Sequence, residues 1–440
     1  MKRICYLCAL VLALSFASCR KNGGAEVQEL LQKVPNTASF VMQVDVESLL
    51  DKAGAKVKDG RIELDADLKA ALDKNSSNQE FMQALNGDTG VEPSAFVAFG
   101  DGYKVYLTGF LADTGKFKAW MQKESGQPVE ESNGVSHVGK YAMTGNQFWV
   151  IGSGGSTIDP DKIREYMALS DKQSFASGNF SGILTNGDAD VSGWCDLAGM
   201  MNTANTPFQQ RAVIKMMTST VFEDANFASF TMNFEKGLMK LTAHILNDKG
   251  NDAKFLYASE KLDTSLFNDL KSNADGVIGI AVPAKLVKQL QEQTKGQLSM
   301  LSVVFGALGS IDGTVAVSVG GEDKGAYQGA IQTNDGSTSD LMGLLNELDC
   351  RPAKQGKLVT FERGTMSGAN SPALMGQKLK GSIMGVVLSS DFIKNPGENN
   401  ALKFVTVKLV PKSGSVVLEC ETETKDQNVN AVKALILSMN

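Results

Sequence analysis

The order in which apolar and polar segments follow one another constrains this chain more than any single motif. Four times an apolar strand leads toward a helix and then a two-stranded hairpin with a short polar turn. An isolated hairpin cannot bury a face in water, so each one needs the strand and helix before it. The first unit opens at 39–44, places Asp45 as a helix N-cap before 46–50, and runs on as a polar helical stretch through Phe81 and Leu85. It closes with strands 95–99 and 103–111 around Gly100-Asp101-Gly102. The second opens at 191–195, puts Asp196 in the same cap-like place, and carries helical segments at 197–201 and 209–217. Its hairpin pairs 227–234 with 238–246. There Met239, Leu241, Ala243 and Ile245 alternate with Lys240, Thr242 and His244, the period of a half-buried strand.

The third unit opens at 276–282, with Pro283 in the first turn of helix 284–293. A second helix at 297–308 and a hairpin of 314–319 with 326–332 follow. The fourth opens at 383–388, has a lost or very short helix at Asn395-Pro396-Gly397, and pairs 404–410 with 416–423. In it Lys403 and Lys408 share a polar side with Glu419 and Glu421. Strands at 135–143 and 148–151 join units one and two, a strand at 358–363 joins units three and four, and a helix at 428–437 ends the chain. The expectation is an α+β fold of two related halves, 27–262 and 263–440. Each half is built of repeated strand–helix–β-hairpin units, with antiparallel or mixed sheets covered by helices on one face.

The N-terminus carries an address. Met1-Lys2-Arg3 precedes an apolar run over 4–14, then Ser15-Phe16-Ala17-Ser18-Cys19. The run is too short to span a bilayer and reads as a signal peptide over 1–18. Ala17-Ser18-Cys19 matches the end of a lipobox, which makes Cys19 the lipid-bearing residue and 19–26 a lipidated tether. Ser15 and Ala17 also suit ordinary cleavage after Ala17, the competing reading. Loss of Lys2 and Arg3 takes the net charge from −6 to −8, which gives nucleic acid no electrostatic reason to bind. The membrane is the partner named directly, through Cys19.

Val34-Pro35-Asn36-Thr37-Ala38, then Phe40-Val41-Met42-Gln43-Val44-Asp45 with Leu49-Leu50 and Gly54, resembles the mature start of uncharacterised lipoproteins of gut-type Bacteroidota, a domain-of-unknown-function family. The resemblance implies a long α+β body and carries no catalytic residues to transfer. It also implies that an acidic run after the lipidated cysteine marks display outside the outer membrane. Arg20-Lys21-Asn22-Gly23-Gly24 departs from that run and favours the periplasmic side.

Chemistry is sparse. Ser136 and His137 are neighbours on a strand and point to opposite faces, and His244 falls on the polar side of a hairpin; both histidines read as structural. HExxH, CxxC, GxSxG, SxxK and Lys-Thr-Gly patterns are absent from the mature chain. Gly152-Ser153-Gly154-Gly155-Ser156-Thr157 before Asp159-Pro160 reads as a glycine-rich connection to a helix, and Asp188-Ala189-Asp190 as a solvated acidic turn. Cys195, Cys350 and Cys420 allow at most one disulfide and read as small buried hydrophobes. Met200, Met201, Met216 and Met217 read as helix-face core. No catalytic, cofactor-binding or metal-binding residue is assigned. The expected function is a non-catalytic binding or structural module of the cell envelope; the alternative is an envelope hydrolase whose carboxylates come together only in the fold.

The address gives the first prediction. Cys19→Ser abolishes fatty-acid labelling and moves the protein from the membrane to the soluble fraction. A wild-type protein that is already soluble and begins at Ser18 would sink the lipoprotein reading.

Overall fold

The computed structural model describes residues 23–58, 61–73, 89–152, 157–185, 188–198, 221–257, 261–282, 287–288, 292, 306–321, 325–393 and 401–438. The first half contains strands β1 (Phe40–Asp45), β2 (Ala55–Lys58), β3 (Arg61–Leu64), β4 (Ala95–Asp101), β5 (Lys104–Phe110), β6 (Glu130–Ser132), β7 (Val135–Val138), β8 (Tyr141–Thr144), β9 (Gln147–Ile151), β10 (Val191–Asp196), β11 (Phe222–Glu223), β12 (Phe227–Glu235), β13 (Leu238–Leu246) and β14 (Lys254–Phe255). The second contains β15 (Gly276–Val282), β16 (Ile311–Gly320), β17 (Ala326–Thr333), β18 (Arg351–Gln355), β19 (Leu358–Arg363), β20 (Met384–Ser389), β21 (Leu402–Lys412) and β22 (Ser415–Thr424). The helices are α1 (Gly23–Leu31), α2 (Val46–Ala53), α3 (Ala66–Asp73), α4 (Thr114–Ser125), α5 (Pro160–Met167), α6 (Ser181–Thr185), α7 (Ser339–Glu347), α8 (Pro372–Gln377), α9 (Ser390–Ile393) and α10 (Ala431–Ser438).

The α+β class stands, but there is one large sheet of 18 strands. Every pairing in it is antiparallel. Its middle is the pair β13–β22, in register from Leu238↔Glu423 to His244↔Val417. Outward from β13 the strands run β12, β10, β1, β4, β5, β9, β8, β7 and β6. Outward from β22 they run β21, β20, β15, β16, β17, β19 and β18. On each side a hairpin comes first, then the strand that opens its unit, then the opening strand and hairpin of the preceding unit, and last the connecting strands.

Turn chemistry fixes these hairpins. At Ser413-Gly414 (φ 48° and 85°) and Asn133-Gly134 (φ 52° and 83°) both central residues take the left-handed conformation that matches the twist of the flanking strands. The turns at Asp101, Lys236 and Lys412 join adjacent antiparallel strands. The turn at Asp323 lies outside the described residues, although β16 and β17 pair as expected.

Helices cover both faces, not one. The front face, which carries Val44, Phe96 and Phe148, is packed in the first half under α2, α3 and α4, with Val432 and Ile436 of α10 against the same core. The back face, which carries Val41, Phe99 and Trp149, is packed under α1, α5, α6 and the turn 175–177. In the second half the turn 264–269 and α8 cover the back face, and α7 with Ala307 covers the outer end of the front. The one-face expectation missed this in β4 and β9, whose unbroken apolar runs are buried on both sides.

Other expectations need correction. The polar helical stretch after Leu50 is broken by the left-handed Gly54 (φ 92°), which ends α2 and admits the β2–β3 hairpin. Residues 74–88, the helix expected at 209–217, and most of those expected at 284–293 and 297–308 lie outside the described residues. The fourth unit keeps a single helical turn, α9, and Asn395-Pro396-Gly397 lies outside them. The strand β18 and helix α7 were not anticipated.

Asp190 is the clearest correction. It is 2% exposed and is no solvated turn. Both its carboxylate oxygens lie 2.6 Å from Lys52 Nζ. Ser48 Oγ donates to Oδ1 at 2.6 Å and the Phe234 backbone N–H to Oδ2 at 2.7 Å. The Asp45 N–H donates to the Asp190 carbonyl at 2.8 Å. Asp45 caps α2 as expected, accepting from the Ser48 N–H at 2.9 Å. Burial raises its carboxyl above the usual range, and the nearby Asp190 charge adds to that. One buried carboxylate thus ties α2 to the start of β10 and the end of β12. Asp190→Ala strips Ser48 and Phe234 of their acceptor and is expected to cost about 3 kcal/mol. Urea unfolding measures it, and a change below about 0.5 kcal/mol would show that the node is not structural.

Candidate functional site

The residues singled out by sequence scatter. Cys19, Gly154, Gly155, Met200, Met201, Met216 and Met217 lie outside the described residues. Asp159 caps α5, as the reading of Asp159-Pro160 anticipated. Cys195, Cys350 and Cys420 are free thiols on separate strands or turns; Cys350 is buried and the other two are half-buried. His137 stands opposite Ala142 and Glu130 on a short strand. His244, read as a structural histidine on the polar side of its hairpin, has its Nδ1 2.8 Å from Asp252 Oδ1. Asp252 was missed because it reaches His244 through a turn, which no residue spacing encodes.

The fold also gathers carboxylates. On the back of the central strands Glu419 and Glu421 flank Lys408, whose Nζ lies 3.2 Å and 3.7 Å from them. Glu423 pairs with Lys378, and Lys433 of α10 pairs with Asp65, its Nζ also 3.6 Å from Asp67. Lys403 is not in the ladder; it sits at a register shift between Leu402 and Phe404, with its ammonium over the Phe404 ring. A lysine at the centre of each group neutralises the charge that a shared-proton carboxylate pair needs. Among the described residues no group of three or more His, Cys, Asp or Glu side chains is placed to hold a metal ion.

The most unusual surface is apolar. Along β15 the back-face residues Val277 and Ala281 are buried, while Ile278 and Ile280 on the front are 37% and 38% exposed. Opposite them on β20, Met384 is 40% exposed and Val387, on the back, is 0%. The front continues through Val386, Val407, Leu418 and Cys420, all half-buried, onto Leu241 of β13. This strip lies in the middle of the sheet, where side chains are ordinarily covered. It is bounded by α10 on one side, by α7 and Ala307 on the other, and by the β11–β14 ribbon at the tip of the β21–β22 hairpin, where Phe255 packs with Val416 and Leu409. Among the described residues the polar side chains of its floor are the Cys420 thiol and Thr422, which hydrogen-bond each other, so whatever binds there is held mainly by desolvation and shape.

No family model and no curated protein matches the chain. Among solved structures, crystal form I of TP0453 aligns over 78% of this chain and 94% of that one, at 8% identity and a TM-score of 0.28. Crystal form III of the same protein aligns over 79% and 97%, at 9% identity and a TM-score of 0.26. Scores this low carry no argument about fold or site.

Cys420 reports on the strip. Burial holds its thiol above the ordinary range, and only the thiolate is nucleophilic. Maleimide labelling of Cys420 at neutral pH should therefore be slower than that of a free cysteine, and should accelerate only as pH rises past the ordinary thiol range. Labelling of Cys420 at the free-cysteine rate near pH 7 would mean that the strip is open to water down to its floor.

Proposed function

We propose that this chain is a lipid-anchored envelope protein, attached through Cys19 on the periplasmic side, whose body binds the hydrocarbon portion of an envelope amphiphile on the front strip. The supporting observation is the run of exposed apolar side chains at Ile278, Ile280 and Met384 on two neighbouring inner strands of the sheet. Five strands at their usual spacing make the strip about 24 Å wide, and three same-face residues make it about 14 Å long, on the order of 300 Å². A stable interface between two copies needs roughly 800 Å² from each. The strip falls well short of that and matches the size of single functional apolar patches. A floor without charge suits a chain that offers none. Binding of this kind needs no bond made or broken.

The two halves are read as copies of one ancestral unit pair. Support comes from the strand order outward from β13–β22, which places the opening strands β1 with β10, and β15 with β20, in equivalent positions.

A fluorescent fatty acid, dansylundecanoate, tests the binding role on the full mature chain carrying Cys19→Ser. Saturable emission is expected, with Ile280→Glu and Val386→Glu each weakening it about tenfold, equivalent to about 1.4 kcal/mol. Thr242→Glu, on the opposite face of the same sheet, should leave it unchanged. Absence of saturable binding, or equal binding by the front-face variants, would overturn the reading.

A further inference from the structure

Three residues on the back of the sheet stand in one row, which Val417 of β22 continues beyond the third, and Asp252 lies diagonally across from that third residue, opposite Leu246. Trp194 of β10 lies directly opposite Ser229 of β12, and Ser229 lies directly opposite His244 of β13. Leu246 already pairs with Phe227 of β12 on that side, so its bridge to Asp252 is on the other side of β13, beyond the end of β22 at Val417. Asp252 and Ser229 therefore flank His244 from opposite sides, and Asp252 engages Nδ1 at 2.8 Å. With Nδ1–H donating to the carboxylate, Nε2 carries the lone pair. Directly opposite residues place their Cβ atoms about 4.5–5.5 Å apart, within the span of an imidazole ring.

Burial and satisfaction add a second observation. Ser229 is 6% exposed and Trp194 is 4% exposed. Among the described residues the buried Trp194 Nε1–H has no hydrogen-bond partner. His244 and Asp252 keep 27% and 36% of their side-chain surface. The Trp194 side of the row is aromatic: Phe227 stacks on Trp194 at 5.4 Å, and Phe180 lies 4.7 Å from Phe227. The His244 side is polar, with Thr231 and Thr242 next along the strands.

We propose that Ser229, His244 and Asp252 form a nucleophile relay acting on acyl esters, with the acyl group against Trp194 and Phe227. Ser229 Oγ bonds to the ester carbonyl carbon and passes its proton to His244 Nε2. The bond to the leaving alcohol breaks and the alcohol takes that proton. Water then attacks the acyl-serine, gives its proton to His244, and releases the carboxylic acid as Ser229 recovers its own. Asp252 holds the imidazole tautomer and offsets the charge that forms on it, and Trp194 Nε1–H donates to the oxyanion. Hydrogen bonds between serine and base are often long before substrate binds and tighten afterwards. The relay uses the opposite face from the front strip and stands or falls apart from it.

The test uses the full mature chain in detergent, a fluorophosphonate probe, and p-nitrophenyl butyrate. The probe is expected to attach to Ser229, located by peptide mass spectrometry, and p-nitrophenolate is expected to be released. Ser229→Ala and His244→Ala should each lower that release on the order of 10³-fold, and Asp252→Asn by at least about 10²-fold. Trp194→Phe keeps the ring, loses the donor, and should cost about 10²-fold. If His244 and Asp252 only pin the 247–252 turn to β13, Asp252→Asn lowers the melting temperature while Ser229 in the folded wild type takes no probe, which overturns the proposal. Labelling of Ser229 that proceeds equally fast in His244→Ala overturns it as well.

Discussion

Between Leu238 and His244 on one strand, and Val417 and Glu423 on the other, the chain closes a ladder between segments that end its two halves. Every other strand of the large sheet is placed by reference to that pair. Without it there would be two sheets, each with a long open edge and no common core. The register is specified by side chains as well as backbone. Lys240 stands opposite Glu421, and Lys408 bridges Glu419 and Glu421 from the next strand. A slip of one residue would turn Leu241 and Ala243 toward this charged side and Lys240 toward the apolar one. The entropy of closing so long a loop grows only slowly with its length, so a seven-residue ladder with paired charges suffices to hold it.

The two faces of the sheet then diverge. The back of the second half is closed by small residues. A side chain at Gly279 would meet Leu262 and Phe267 at 3.0–3.1 Å, which is how the turn at 264–269 comes to lie flat on β15. The front has the reverse pattern, with large residues at Ile278 and Ile280 pointing out of the same strand. Small residues on one side and large ones on the other let a single strand both seat a helix turn and present a surface. In the first half the front of the sheet is filled by α2, α3 and α4, and the buried Asp190 node locks α2 there.

Much of this was legible. The alternation over 238–246 marked a half-buried strand, Asp45 marked a helix start, and Gly-containing turns marked the hairpin tips. Long-range relations were not. Glu419 and Glu421 were matched to Lys408 because all three flank one turn, whereas Asp190 meets Lys52 across most of a half and looked like an ordinary acidic loop. Val277-Ile278-Gly279-Ile280 was legible only as an apolar opening strand, since an unbroken apolar run carries no mark of which face stays open. Asp252 is beyond the reach of any spacing rule: it comes beside His244 only because the chain turns back after Leu246.

The position of β22 has a consequence in time. Among the described residues it is the last strand, and its partner β13 is complete long before it. A growing chain that has reached Leu246 has folded material for β12 to hold one side of β13, while the other side waits as a row of unpaired amides and carbonyls. Until residues 415–424 are available, that row is an adhesive edge in the middle of the future molecule. Two copies caught at this stage can exchange β22, each closing the other's sheet with the same register and the same Lys240–Glu421 match. The strand that unites the halves of one molecule is therefore also the element best suited to entangle two.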